Sequence, residues 1–350
     1  MTERWGLVLG GGGVLGGAWM VGALTAVQQV HGLDPRRAEL IVGTSAGSVT
    51  AALLGAGVSI DELRVHQLGE EVTSGPLAGE AVDWDYDGAT GGSNPPVPRF
   101  SFLPAGASMV THNVRRLHRM PPTAVLAALM PQGRGSLDAV GRLVRALVPS
   151  GWSPHPGVRA VAMDYGSGRR VAFGDPAAPP AELAEAVTAS CSIPGWYAPV
   201  TIGGRRYVDG GAWSATNVDL IARLGLDHVF VLAPMVSFAT DHPAHWRTRA
   251  ERSWRARVTR RCLHEVAKVH AGGSEVTVIG PGPEDLEAIG ANLMAVERRR
   301  LVLETALRTS THALVDPEPM LQPPGIVSNR EAREDVHQDG PVTSQGSEAE

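Results

Sequence analysis

The chain has 350 residues, a formal net charge of −5, 42 glycines, 26 prolines and two cysteines. The acidic balance excludes nucleic acid as a default partner. Cys191 and Cys262 build no disulfide framework, which points to a reducing, cytoplasmic setting. Met1-Thr2-Glu3-Arg4-Trp5 runs straight into a strand without the features of a signal peptide, and the chain has no apolar run of about 18 residues that would span a membrane.

In chain order, Gly6-Leu7-Val8-Leu9 reads as a short buried strand. The loop Gly10-Gly11-Gly12-Gly13-Val14-Leu15-Gly16-Gly17 follows, and then a helix with Met20, Leu24 and Val27 on one face. Strand, glycine loop and helix open an α/β unit. Beside a plain tight turn that packs a helix on a sheet, three uses of the loop stand at this point. A dinucleotide loop requires an acidic residue about 20 residues on, and that place holds Arg36-Arg37-Ala38-Glu39. A phosphate loop of the Walker kind requires a lysine after the glycines, and none follows. The third use is an oxyanion hole, in which successive glycine N–H groups turn toward one point.

Residues 38–42 form the next strand, and Gly43-Thr44-Ser45-Ala46-Gly47 is a G-x-S-x-G pattern between it and a helix carrying Val49, Ala52, Leu53 and Ala56. The spacing has a physical reason: a serine on a sharp strand-to-helix turn has crowded surroundings, so Gly43 and Gly47 must be small. The turn leaves Oγ beside a helix N-terminus, where developing negative charge is favoured. Ser59-Ile60-Asp61-Glu62 is a capping box that opens a helix to about Val72.

Residues 74–148 interrupt the α/β pattern. An irregular stretch, 74–108, holds Trp84 and Tyr86 between Asp83, Asp85 and Asp87; the ligand set of a calcium loop is incomplete, which leaves an exposed loop. Helices over 112–148, broken at Pro121-Pro122 and Pro131-Gln132-Gly133, carry Arg115, Arg116 and Arg119 beside Val110, Val114 and Leu117. The insertion reads as a lid or acyl pocket, a membrane-touching surface, or plain helices over a sheet.

Strands follow at 158–163 and 170–173, a helix at 182–189, then Ser192-Ile193-Pro194-Gly195 and a hairpin around Gly203-Gly204. Asp209-Gly210-Gly211 stands directly after that hairpin, a carboxylate at a strand end with glycines that let backbone come close. Residues 229–232 and 276–279 are further strands. The helix from about Pro243 to His270 is rich in arginine (Arg247, Arg249, Arg252, Arg255, Arg257, Arg260, Arg261), with Cys262 in its apolar stripe. Its basic side suits either anionic lipid or solvent. Helices at 284–289 and 293–310 precede a tail, 316–350, expected to be disordered.

The glycine loop Gly10–Gly17, Gly43–Gly47, Ser192-Ile193-Pro194-Gly195 and Asp209-Gly210-Gly211, in that order, resemble the patatin-like phospholipase family over roughly residues 5–310. The resemblance implies a three-layer α/β fold, a central, mostly parallel sheet flanked by helices with a helical insertion, as one domain over 1–315. It implies Ser45 as nucleophile, Asp209 as its partner, and Gly11, Gly12 and Gly13 in the oxyanion hole. The substrates it implies are lipids or small carboxylic esters, with peripheral membrane contact as a further partner. One place departs: family members often carry Arg or Lys where Leu15 stands, and the missing charge favours a less charged ester.

The residues themselves agree with a dyad. None of the candidates weighed among the 12 histidines (His112, His118, His155, His228, His264, His270) closes a late strand as the base of a Ser…Asp…His order would. Asp209 does close one, and in a parallel sheet its end would meet that of the serine strand at one edge. No metal-binding motif and no cofactor fingerprint is complete. The readings kept beside hydrolysis are acyl transfer from the same acyl-enzyme, and a non-catalytic lipid-binding or scaffold protein.

Overall fold

The computed structural model describes residues 4–78, 104–114, 120–238 and 246–316. The Asp83–Asp87 loop, Arg115, Arg116, Leu117, His118, Arg119 and the 317–350 tail lie outside them.

The strands are β1 (Trp5–Leu9), β2 (Leu40–Thr44), β3 (Val158–Asp164), β4 (Arg170–Phe173), β5 (Val200–Ile202), β6 (Arg205–Asp209), β7 (His228–Leu232) and β8 (Glu275–Ile279). The helices are α1 (Gly13–His31), α2 (Ala46–Gly55), α3 (Ile60–Gln67), α4 (Ala107–Asn113), α5 (Pro122–Leu129) and α6 (Asp138–Leu147). They continue with α7 (Leu183–Cys191), α8 (Trp246–His270), α9 (Pro283–Ile289) and α10 (Arg299–Val315).

One sheet runs in the order β5-β6-β3-β2-β1-β7-β8, with β4 also paired to β3. The strands from β3 through β8 on that path are parallel, whereas β4 and β6 run antiparallel to β3 and β5 antiparallel to β6. Helices cover both faces, and the strand pleat sorts residues between them. Leu7, Leu9, Ile41, Phe230 and Leu232 belong to the core under α1, α2, α7 and α10. Val8, Val42, Val229 and Val231 belong to the core under α8. The three-layer α/β fold expected from the sequence is therefore observed.

Several local signals hold. Ser59 and Glu62 form the capping box of α3, with Ser59 N–H 2.9 Å and its hydroxyl 2.7 Å from Glu62 Oε2. Gly203 and Gly204, at φ 54° and 76°, make the tight turn of the β5–β6 hairpin. Others shift. The first helix is not amphipathic: α1 is buried on nearly every side because α10 packs along it, so close that a Cβ on Gly22 would stand 2.6 Å from the Leu303 carbonyl oxygen. The α3 helix ends at Gln67 rather than near Val72, since Gly69 at φ 72° turns the chain. β2 extends through Gly43 and Thr44, two residues beyond the expected end, and the last helix begins at Arg299 after a 3₁₀ turn.

The basic helix is not uniformly a solvent or lipid face. Arg255 of α8 is 1% exposed, paired with Glu251, and donates to the Pro234 carbonyl at 2.7 Å. Cys262 is buried in the stripe, and burial pushes its thiol up to about 12. Among the described residues, no helix is long and apolar enough to cross a membrane.

Candidate active site

Ser45 stands between β2 and α2 with φ 54° and ψ −125°. This is a sparsely populated conformation for a side-chain-bearing residue and persists only where the surroundings over-determine it. They do so here through close packing. A Cβ on Gly43 would collide with the Gly47 carbonyl, and a Cβ on Gly47 with the Leu9 carbonyl of β1. The elbow is also held by hydrogen bonds. Ser45 N–H donates to Ser190 Oγ at 2.9 Å, Ser190 Oγ donates to the Val161 carbonyl at 2.6 Å, and Ser48 Oγ donates to the Ser45 carbonyl at 2.7 Å.

Asp209 ends β6, and the sheet brings it to Ser45 by a route other than the one expected. β6 is antiparallel, so it does not run alongside β1, β2 and β7 to the shared edge but comes down to it from the opposite direction. Register supplies the meeting instead. Thr44 pairs with Val161 of β3, and the next β3 residue, Ala162, pairs with Asp209. The residue after Thr44 and the last residue of β6 thus stand at the same height on either side of β3. The Asp209 amide is anchored to the Ser192 carbonyl at 2.9 Å, and its Oδ1 accepts the Gly211 N–H at 2.6 Å. Gly210 has no room for a side chain, because a Cβ would stand 2.5 Å from the Val161 carbonyl oxygen.

Burial pushes the Asp209 carboxyl up to about 6, against the opposing hydrogen bonds from the Ser45 side chain and the Gly211 amide. The register thus sets the serine and this raised carboxyl side by side at one edge of the sheet. Cys191, buried beside them, has its thiol pushed well up by burial and by the Asp209 charge, which leaves it a neutral wall rather than a nucleophile.

The glycine loop lies across the same edge. Gly10 N–H donates to the Leu232 carbonyl and Gly11 N–H to the Ala215 carbonyl, each at 2.8 Å. Gly11 is thus occupied, a correction to the expectation that three glycine amides act together. The amides of Gly12 and Gly13 find no acceptor among the described residues, as their place at the start of α1 requires. Leu15 points away from the site: it is fully buried in the core, so the residue at this position bears on packing.

The loop 214–218 joins the parts, and sequence reasoning missed it. Its Ala215 carbonyl holds Gly11, and Asn217 Nδ2 donates to Thr44 Oγ1 at 3.1 Å, next to the nucleophile. Asn217 takes up φ 54°, and its Oδ1 accepts from Arg170, which also pairs with Asp219 at 2.6 Å. The loop is in turn held by one buried carboxylate from α8. Glu265 Oε2 accepts from Ser214 Oγ (2.9 Å), Thr216 Oγ1 (3.0 Å) and Val218 N–H (3.1 Å), while its Oε1 accepts from Arg261 Nε at 2.8 Å. The three contacts from Glu265 to the loop span 47 to 51 residues, and their local trace in the loop is an asparagine suited to a left-handed turn.

Beside Ser45 a largely apolar cavity opens between α1, α2, α3 and α6. One histidine lines it, His66 of α3, which was not among the candidates from sequence. Burial and the nearby Arg299 lower its pKa to about 4, so it is neutral at pH 7.

The fold and site define a class first: an α/β protein with a serine elbow, a glycine loop and a buried carboxylate gathered over one sheet. The family follows from comparison. The model of the patatin-like phospholipase family matches residues 7–222, and the chain belongs to that family of lipid hydrolases. No curated protein matches the chain. Among solved structures it is similar to VipD from Legionella pneumophila, at 14% identity and a TM-score of 0.42, covering 89% of this chain and 67% of that one. It is also similar to the type III effector protein ExoU, at 15% identity and a TM-score of 0.32, covering 89% of this chain and 53% of that one. The chain thus spans about two thirds and about half of the lengths of these two proteins.

Proposed function

We propose that this protein is a serine acyl hydrolase that cleaves carboxylic ester bonds of lipids through Ser45 and Asp209. The observation that carries the reading is the strand register, which sets a strained, buried serine level with a buried carboxylate whose pKa is raised to about 6. An ordinary aspartate, near 3.9, is a weak base; one near 6 is still largely ionised at pH 7 and holds a proton better.

In the proposed reaction Ser45 Oγ attacks the ester carbonyl and its proton passes to Asp209. The carbonyl electron pair moves onto oxygen, opposite the Gly12 and Gly13 amides and the N-terminus of α2. Collapse breaks the bond to the alcohol, which leaves with the proton held by Asp209. Water then repeats the sequence on the acyl-enzyme and releases the acid. Gly11 supports the loop through Ala215 rather than donating to the oxyanion. On the outer face of α8, exposed Arg257 and Arg260 beside Trp254, 40% exposed, suit peripheral contact with anionic lipid.

The test is labelling with a fluorophosphonate, with hydrolysis of para-nitrophenyl esters followed in parallel. The adduct is expected on the peptide holding Ser45, and both signals are expected to vanish in Ser45→Ala. An adduct elsewhere, or a folded His66→Ala as inactive as Ser45→Ala, would overturn the dyad. Labelling of Ser45 with no turnover of any ester would favour the lipid-binding alternative, and faster release with added alcohol than with water would favour acyl transfer.

A further inference from the structure

We infer that the enzyme selects medium-length acyl chains, of roughly eight carbons, because the cavity beside Ser45 is a blind slot two helical turns deep. The inference rests on the hydrolase reading above and adds the substrate class to it.

The slot is built from single faces of two helices that both start at the site. Along α2 its wall is Ala46, Val49 and Leu53, and along α1 it is Gly13, Gly17 and Val21. These spacings of three and four place each set on one helix face. The two helices come together beside it: a Cβ on Gly17 would stand 3.9 Å from Ala46 Cβ, an ordinary van der Waals contact. Both run away from the serine edge, so the lining residues also measure depth. From Ala46 to Leu53, and from Gly13 to Val21, the helical rise gives roughly 11 Å.

Burial shows which end is closed. Gly13, Gly17 and Ala46, at the serine end, are half-buried. Val21 (1% exposed), Leu53 (5%) and Leu63 (1%) are buried at the other. Leu63 comes from α3, which follows α2 after a short turn and lines the slot with Leu63, His66 and Gln67. An extended acyl chain advances a little over 1 Å per carbon, so a slot of about 11 Å takes roughly eight carbons beyond the ester. Within it each added methylene leaves water for an apolar wall, a gain of roughly fourfold in transition-state binding. Past the floor the chain must fold back or displace well-packed leucines, and the gain reverses.

The experiment is kcat/KM for para-nitrophenyl esters of two, four, eight, twelve and sixteen carbons at one fixed detergent concentration. It is run on the full-length enzyme and on Leu63→Ala, Leu53→Ala and Leu53→Phe. In the wild type the value should climb to a maximum near eight carbons and drop at least tenfold by sixteen. Leu63→Ala or Leu53→Ala should move the maximum toward twelve, and Leu53→Phe toward four. A wild-type maximum at sixteen carbons, or one that no folded floor variant moves, overturns the inference. The wild-type profile decides the matter even where a variant fails to fold. Failure of the underlying reading looks different: no ester of any length is turned over, or Ser45→Ala hydrolyses them equally well.

Discussion

Two aspartates on neighbouring strands are both nearly hidden from solvent, and their carboxyls are shifted in opposite directions. Asp164 at the end of β3 is 4% exposed and Asp209 at the end of β6 is 5% exposed. Burial pushes both carboxyls up, but at Asp164 it is outweighed. The Ser167 and Gly166 amides donate to Oδ1 at 3.1 and 2.8 Å, and Arg205 donates to Oδ2 at 2.9 Å, so that carboxyl sits below its ordinary value. Asp209 receives the Gly211 amide and the Ser45 side chain and no cation among the described residues, and it rises to about 6. Depth and donor supply act in the same direction here: Asp209 is the more deeply enclosed of the two, and its turn of two glycines supplies fewer donors.

The strongest test of this contrast is turnover. Asp209→Asn is expected to fold and to lose about 10²–10⁴ in kcat, the range of general acid–base catalysis, while Asp164→Asn stays within a few-fold of wild type. Steady-state kinetics on one ester with both variants checks it, and equal losses would erase the distinction.

Stability against pH comes next. Asp209 binds its proton more tightly folded than unfolded, so its contribution falls as pH rises from about 4 to about 6. That shift of about two units corresponds to about 3 kcal/mol. Asp209→Asn should therefore be more stable than wild type at pH 8 by up to about 3 kcal/mol, with the gain gone near pH 4. Asp164 has the opposite sign. Its lowered pKa contributes stability above the ordinary carboxylate range that is lost as pH falls through the folded value, so Asp164→Asn should destabilise at neutral pH and matter little in acid. Denaturant titrations of the three proteins at pH 4 and pH 8 measure both slopes, and parallel slopes would contradict the assignment.

The smallest effect is the pH–rate profile. The working form of Asp209 is ionised, so kcat/KM should fall as pH drops through about 6, by about tenfold between pH 7 and pH 5. Asp164→Asn should leave that midpoint in place. A midpoint near 4 in the wild type would mean that solvent reaches Asp209 during turnover.

What the sequence determined by itself is what short spacing can encode. Gly43-Thr44-Ser45-Ala46-Gly47 requires an elbow because only hydrogen fits where the Gly47 carbonyl and β1 close in. Ser59 and Glu62 cap a helix three residues apart, and Gly203-Gly204 turns a hairpin. Continuous apolar runs in β1, β2 and β7 announce strands buried on both faces. Tertiary structure decided what depends on partners far along the chain. Asp209 reaches Ser45 through its pairing with Ala162 in an antiparallel register, not through a shared parallel edge. Ala215 claims the Gly11 amide, Asn217 grips Thr44, and Glu265 holds the loop that carries both. Arg255, one of seven arginines that look alike in the sequence, is buried under Pro234. The reason is physical: a turn is specified by the bulk and dihedral freedom of adjacent residues, whereas a buried polar group is satisfied only by whatever donor the completed fold sets against it.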